Sequence, residues 1–237
     1  MSLDSKAIDY YNKYWNECKP ISGYKLRRII HILSFLKLVR NKFDNLKILD
    51  SGCGDGRAVS IWNIVGEAAG IDQSDLAIKN AMEHFPFIKF YHGDVVSTNF
   101  SNESFNVIIS QEVIEHIEQQ EQYITELARL LCQNGYLIIT TPNKFFFDRR
   151  NGGNWSSQPV EKVIGIKELK GLLMPYFTII KLQTVIMAKG DHGVYRLLYS
   201  RIICYMLRKM GLFGFYEALL ENAKLGVHIV LLAKKRH

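Results

Sequence analysis

Cysteine is scarce in this 237-residue chain: Cys18, Cys53, Cys132 and Cys204 stand far apart, and no two form a C-x-x-C pair. Neither a zinc site nor a disulfide framework is therefore expected, and a reducing cytoplasm is the simplest home. Long apolar runs are missing too. No stretch approaches the ~18 uncharged apolar residues of a membrane span, and the opening MSLDSKAIDYYNKYW lacks the apolar core of a signal peptide. There is no internal repeat and no low-complexity tract. What remains is a chain that is 48% hydrophobic and 22% charged, enough to bury one large core, with a length that predicts one domain or at most two.

Acidic residues are scarce at both ends. Residues 1–46 carry a net charge of +5, residues 47–189 carry −3, and residues 190–237 carry +5, within a total of +7. A mildly acidic centre between basic flanks fits RNA, anionic lipid or a phosphorylated substrate at the flanks, and equally a basic surface that only keeps the protein in solution.

Glycine, by contrast, is concentrated. The stretch KILDSGCGDGR places Gly52, Gly54 and Gly56 within five residues, after a short apolar run that ends in Asp50. Each glycine loses more backbone entropy on folding than any other residue, so a position that keeps three needs their geometry. With Ile48 and Leu49 before it and an apolar stretch after it, the motif reads as strand, turn and helix. That arrangement brings free amides and a helix dipole to the carboxyl edge of a parallel sheet. Twenty residues after Gly52, AAGID ends a second strand in Asp72, placed to accept from two ribose hydroxyls. The spacing G-x-G-x-G, with Arg57 where a dinucleotide fold wants its third glycine, disfavours a pyrophosphate and with it a nicotinamide-dependent oxidoreductase.

The wider pattern alternates. Helices are predicted at 4–16 and 22–40, the second capped by Ser22 and carrying Leu26, Ile29, Ile30, Leu33 and Leu36 at helical spacing. Strands follow at 47–50, 68–72, 88–92, 105–110 and 135–140, with helical runs near 55–65, 74–84 and 119–132 between them. Such alternation implies a parallel sheet covered on both faces. A helix at 166–174 and two β-prone runs at 177–187 and 227–234 close the chain, interrupted by insertions at 143–165 and 188–226.

ILDSGCGDGR, GIDQSD, HGDV and SQEVIEHI, in that order, resemble the signature stretches of class I S-adenosylmethionine-dependent methyltransferases. The resemblance covers 47–142 and is closest to the small-molecule branch that includes the ubiquinone-biosynthesis O-methyltransferases. It implies an α/β, Rossmann-like, doubly wound, mostly parallel seven-stranded sheet with a C-terminal antiparallel hairpin. On that fold it implies an N-terminal helical lid at 1–46, a cofactor-binding core at 47–187, a basic helical insertion at 188–226 and the last strand at 227–237. The cofactor it implies is S-adenosylmethionine. Asp50 and the backbone of Gly52, Cys53 and Gly54 would face the methionine part, Asp72 and Gln73 the ribose side. Asp94 would accept from the adenine amino group, and the Val95 amide would donate to a ring nitrogen; for Asp94 alone, a turn cap is the bland alternative. Gln111 would lie under the sulfonium. Tyr11, Tyr14, Trp15 and Asn143 are assigned to the substrate or lid side.

If EVIEHI opens a helix, Glu112, Glu115 and His116 share one face and could hold a divalent ion. The bland reading is favoured: His116 packs near the cofactor, the glutamates stabilise the helix start, and no metal is assigned. His116 is also the best placed general base if the acceptor is a hydroxyl. TTPNKFFF after the fifth strand differs from the Asn/Asp-Pro-Pro-Tyr/Phe motif of enzymes acting on amide or base nitrogens, which argues against DNA. The acceptor class expected is a small-molecule oxygen (sugar, quinone-like or lipid-linked), with an amine nitrogen as runner-up and a non-catalytic cofactor-binding module as the other alternative. The 188–226 insertion interleaves Arg196, Arg201, Arg208 and Lys209 with aliphatic and aromatic residues. It fits a peripheral contact with anionic membrane or a lipid-linked substrate, or a cover over the acceptor pocket or a homodimer contact, with RNA third.

Overall fold

The computed structural model describes residues 22–148, 162–185 and 193–236. Tyr11, Tyr14, Trp15, Cys18, the helix predicted at 4–16 and the middle of the 143–165 insertion lie outside the described residues.

Alternation along the strands sets the layers. In β1 (Lys47–Ser51) Ile48 joins one buried cluster and Leu49 the other. In β4 (Phe105–Gln111) Val107 and Ile109 share the side of Ile48, and Ile108 the side of Leu49. The same period of two continues through β5 (Leu131–Pro142) and β7 (His228–Lys235). Strands apolar on both sides must be covered on both faces. β2 (Glu67–Asp72) and β3 (Lys89–His92) complete a parallel set, while β7 runs antiparallel to β5 and β6 (Phe177–Val185) antiparallel to β7. The sheet order is β3-β2-β1-β4-β5-β7-β6, the expected doubly wound sheet with its C-terminal hairpin.

One face is covered by α1 (Gly23–Val39), α2 (Arg57–Trp62) and α3 (Asp75–His84), the other by α4 (Gln120–Leu130) and α6 (Ile166–Leu173); α5 (Lys144–Phe147) is a single turn after β5. Ser22 caps α1, its Oγ accepting from Lys25 N at 3.2 Å. The side of α1 that packs on the sheet is Ile29, Ile32, Phe35, Leu36 and Val39, each contributing roughly 1.5 to 3 kcal/mol by burial. Leu26 and Ile30 of the predicted stripe are instead exposed. The helix is apolar around much of its circumference, so spacing alone does not settle which side meets the sheet. With five buried side chains, α1 belongs to the core rather than to a detachable lid.

The 188–226 insertion contains α7 (Gly193–Leu198), α8 (Arg201–Lys209) and α9 (Phe213–Asn222). Tyr195, Tyr199, Cys204 and Leu220 bury into the same cluster as α1, and Arg27 of α1 makes a two-pronged pair with Glu217 of α9, both contacts at 2.9 Å. The insertion thus enlarges the core on the α1 side.

Candidate active site

The carboxyl ends of β1, β2 and β4 meet at one edge of the sheet, where parallel pairing aligns Ser51 with Ile71 and with Ser110. The Tyr123 phenol of α4 locks that edge from below, 3.0 Å from the Ser51 hydroxyl and 2.9 Å from that of Ser110. Above it, the chain turns through Gly52 and Gly56 at φ 83° and 75°. A Cβ on Gly52 would overlap Val113, and one on Gly56 would lie 2.6 Å from the Phe90 ring, so side chains are excluded at both by strain and by space.

Four amides of this turn are used internally. Gly52 N and Cys53 N both donate to Ile71 O (2.8 and 3.0 Å), Gly54 N donates to Asp72 Oδ2 (2.8 Å) and Gly56 N to Cys53 O (3.3 Å). The expectation of free amides at this edge is therefore corrected. Hydrogen bonds that pin the β1 turn to β2 consume the Gly52, Cys53 and Gly54 donors, and the side chains at the ends of β1 and β2, Asp50 and Asp72, offer acceptors. Such a site suits an ammonium and hydroxyls.

Asp50 is 1% exposed, and its Oδ2 accepts from Trp62 Nε1 at 2.8 Å and from Gln111 Nε2 at 3.5 Å. Its Oδ1 is buried without a hydrogen-bond partner, as is Oε1 of Gln111. Burial raises the Asp50 carboxyl to about 7 against the opposing pull of Trp62 and of the Lys25 ammonium. Two orphaned acceptors beside a turn whose glycine amides are engaged are what a cationic ligand head would satisfy. At the tip of β2, Asp72 also accepts Ser74 N through Oδ1 (2.9 Å), and burial raises its pKa despite these backbone donors. Gly54, Asp72, Gln73, Val95 and Gln111 line a cavity of about 220 Å³. Cys53 lines it as well, and burial pushes its thiol well above the ordinary range, so it is a packing group rather than a nucleophile. Asp94 is exposed, and its Oδ1 caps Val96 N at 2.9 Å, the turn-cap arrangement, while Val95 is buried against the cavity.

EVIEHI does not open an α-helix. Glu112 sits at φ 54°, and Ile114–His116 form a single 3-10 turn, so the three side chains do not share a face. Glu112 receives the Thr140 hydroxyl (2.9 Å) and lies 2.7 Å from His228 Nδ1 and 3.8 Å from Arg28 Nε, whereas Glu115 receives Thr141 (3.0 Å). Consecutive residues of a strand point to opposite faces, so the two glutamates are drawn to opposite sides of β5. Burial would raise Glu112, but Arg28, His228 and Thr140 together hold it down at about 2. Burial first, and then the Glu112 charge, push the Glu115 carboxyl well above its ordinary value, opposite in direction to Glu112. Among the described residues no three His, Cys, Asp or Glu side chains are grouped to hold a metal ion. His116 lines the cavity, its Nε2 3.9 Å from Glu115 Oε1.

Asn143 is corrected. It is fully buried, its Oδ1 accepts from Phe145 N (3.2 Å), and its Nδ2 donates to Gly226 O (2.8 Å) and Lys224 O (3.3 Å). The fully buried side chain ties the end of β5 to the start of β7, with both its amide oxygen and its amide nitrogen engaged within the fold. Conversely, Lys25 and Arg28 of α1 line the cavity and were not anticipated. They lie three residues apart, hence on one face of the helix, which is the signal that could have found them. Burial lowers the Lys25 pKa, with Asp55 and Asp50 opposing.

Residues 42–189 match the family profile described as a methyltransferase domain. The chain is 28% identical over 164 residues to the mitochondrial ubiquinone biosynthesis O-methyltransferase of Schizosaccharomyces pombe, covering 62% of this chain and 59% of that one. It is 25% identical over 162 residues to the ubiquinone biosynthesis O-methyltransferase of Bartonella tribocorum, covering 60% and 66%. The chain spans less than two thirds of the length of these curated relatives. In fold it is similar to the N-methyltransferase NodS of Bradyrhizobium japonicum, solved with S-adenosyl-L-homocysteine, at TM-score 0.66 and 13% identity over 98% of this chain and 99% of that one. A sheet of this order, an acceptor-lined glycine turn at its carboxyl edge and a profile match across most of the chain agree: the protein belongs to the methyltransferase-domain family.

Proposed function

We propose that this protein transfers a methyl group from S-adenosylmethionine to an oxygen of a small-molecule acceptor. The observation that carries the reading is the unpartnered Oδ1 of Asp50 beside a turn whose glycine amides are already engaged. An ammonium fits that oxygen, Asp72 retains lone pairs for ribose hydroxyls, and the Val95 amide with Asp94 answers the adenine edge. Lys25, in the wall of the same cavity, supplies the cation a carboxylate needs. When bound, the cofactor supplies a methyl on a positively charged sulfur that leaves as a neutral thioether. The chain's own part is to hold the acceptor in line behind that methyl and to exclude water. Gln111, Val113 and Ile117 close the cavity wall, and His116 there takes the proton that the acceptor hydroxyl gives up as the new C–O bond forms.

Oxygen is preferred to nitrogen because the two ubiquinone-biosynthesis relatives that share sequence are named O-methyltransferases, whereas the N-methyltransferase likeness is one of fold. The test is a methyl-transfer screen over phenolic, sugar and amine acceptors, read as release of S-adenosylhomocysteine. Turnover with a hydroxyl acceptor is expected, and His116→Asn should lower kcat by about 100- to 10,000-fold with cofactor affinity kept. Turnover confined to amines would overturn the oxygen assignment, and absence of cofactor binding would overturn the whole reading.

A further inference from the structure

We propose that α8 and the start of α9 form a docking face for an anionic membrane surface. This inference concerns a surface away from the cofactor cleft and does not depend on the acceptor's identity. Along α8 the outward side chains form two adjacent ridges, each stepping by four residues. One is Arg201, Tyr205 and Lys209; the other is Ile202, Met206 and Met210. The inner side carries Cys204, which is buried, with Ile203 and Leu207 partly so. Ile202, Met206 and Met210 are 71, 51 and 67% exposed, and Phe215 on α9 is 74% exposed. A whole apolar ridge facing water beside a basic ridge is the arrangement of a helix that lies in a lipid interface, apolar groups at the acyl boundary and cations among the headgroups.

Charge identifies the occupant. Residues 192–216 hold Arg196, Arg201, Arg208 and Lys209 and no acidic residue, and the next acid, Glu217, is turned inward to Arg27. Arg208 stacks over the Phe213 ring at 4.4 Å and Lys209 lies 5.5 Å from the Tyr205 ring, so both cations rest on aromatic groups at the same surface. A second copy of the chain would bring this all-positive face against itself and strip Arg201 and Lys209 of water without a partner. An RNA would find scattered rings among aliphatic side chains rather than a stacking platform. At nine residues, α8 is far too short to cross a bilayer, so it lies along the surface.

The experiment is vesicle flotation of the full chain with pure phosphatidylcholine and with phosphatidylcholine mixed with phosphatidylserine, at low and high salt. Binding to the mixed vesicles alone, weakened by salt, is expected. Arg201→Glu with Lys209→Glu should weaken it at least about 25-fold, roughly fivefold for each basic residue lost. Replacing Ile202, Met206 and Met210 by Ser should weaken it as well, with calorimetric binding of S-adenosylhomocysteine showing that each variant is folded. Equal binding to neutral vesicles, or full binding by both variants, overturns the proposal. A dimer seen by light scattering that the Ser variant dissociates assigns the face to a second copy and overturns it too.

Discussion

Replacing Asp50 by Asn separates what this acid costs the fold from what it gives the ligand. The carboxyl titrates near 7 in the folded protein against an ordinary value of 3.8, because burial disfavours its charge. Between those values the folded chain holds a proton that the unfolded chain has lost, so the stability of the ligand-free protein falls as pH rises, by about 4 kcal/mol in all and about 3 kcal/mol between pH 5 and pH 8. Asn cannot ionise, and its oxygen can still accept from Trp62 Nε1, so the variant lacks that slope. Its amide does face the place of the unpartnered Oδ1, at a cost of about 1 to 3 kcal/mol, but that cost is the same at every pH and cancels when the two pH values are compared. Groups common to both proteins, Asp72 and Glu115 among them, cancel likewise. Denaturant unfolding without ligand at pH 5 and pH 8 should therefore show wild type losing about 3 kcal/mol relative to the variant. Calorimetry at pH 8 should show S-adenosylhomocysteine, which keeps the ammonium, binding the variant about ten- to 150-fold more weakly, the worth of one charge-assisted hydrogen bond. Parallel pH profiles, or unchanged affinity, would refute the reasoning.

Asp72→Asn turns one acceptor into a donor beside Gly54 N or Ser74 N and removes a ribose partner; affinity for S-adenosylhomocysteine should fall by about 1 to 3 kcal/mol in the same calorimetric assay, and an unchanged constant would remove Asp72 from the cradle. Asn143→Ala leaves Gly226 O and Phe145 N without their partner in a buried place, so unfolding midpoints should drop by the equivalent of about 1 to 3 kcal/mol while cofactor affinity holds. Affinity lost without any loss of stability would return Asn143 to the site.

The sheet and the glycine turn were legible because both are local. Two-residue alternation, a helix after each strand and three glycines before an apolar helix each write their geometry into adjacent residues. Asp50 and Asp72 were legible for the same reason, each being the last acid of a short apolar run. What they are bonded to was not: Trp62 reaches Asp50 from the end of the next helix, and His228 reaches Glu112 from the last strand. Glu112 shows a second kind of limit. A glutamate at positive φ is disfavoured by its own side chain, and here it is held by Thr140, Arg28 and His228, partners distant in sequence, so local preference pointed to a helix instead. Asn143 misled because an Asn after Thr-Thr-Pro reads as a loop residue, and its real partners, Gly226 and Lys224, lie some eighty residues on. For α1, the residues were right and the angle about the helix axis was wrong, since an apolar circumference leaves the sheet to choose the side.

One turn of α1 serves two masters. Lys25 and Arg28 point into the cleft, and between them Arg27 grips Glu217 of α9 with both nitrogens of its fork. Five residues of that helix are sunk in the core, so the grip of α9 and the wall of the cleft share one anchored element. A change at Glu217 that suited a new surface would leave Arg27 without this partner on the very turn that carries the two cleft cations, so the outer helices and the cleft are not independent of one another.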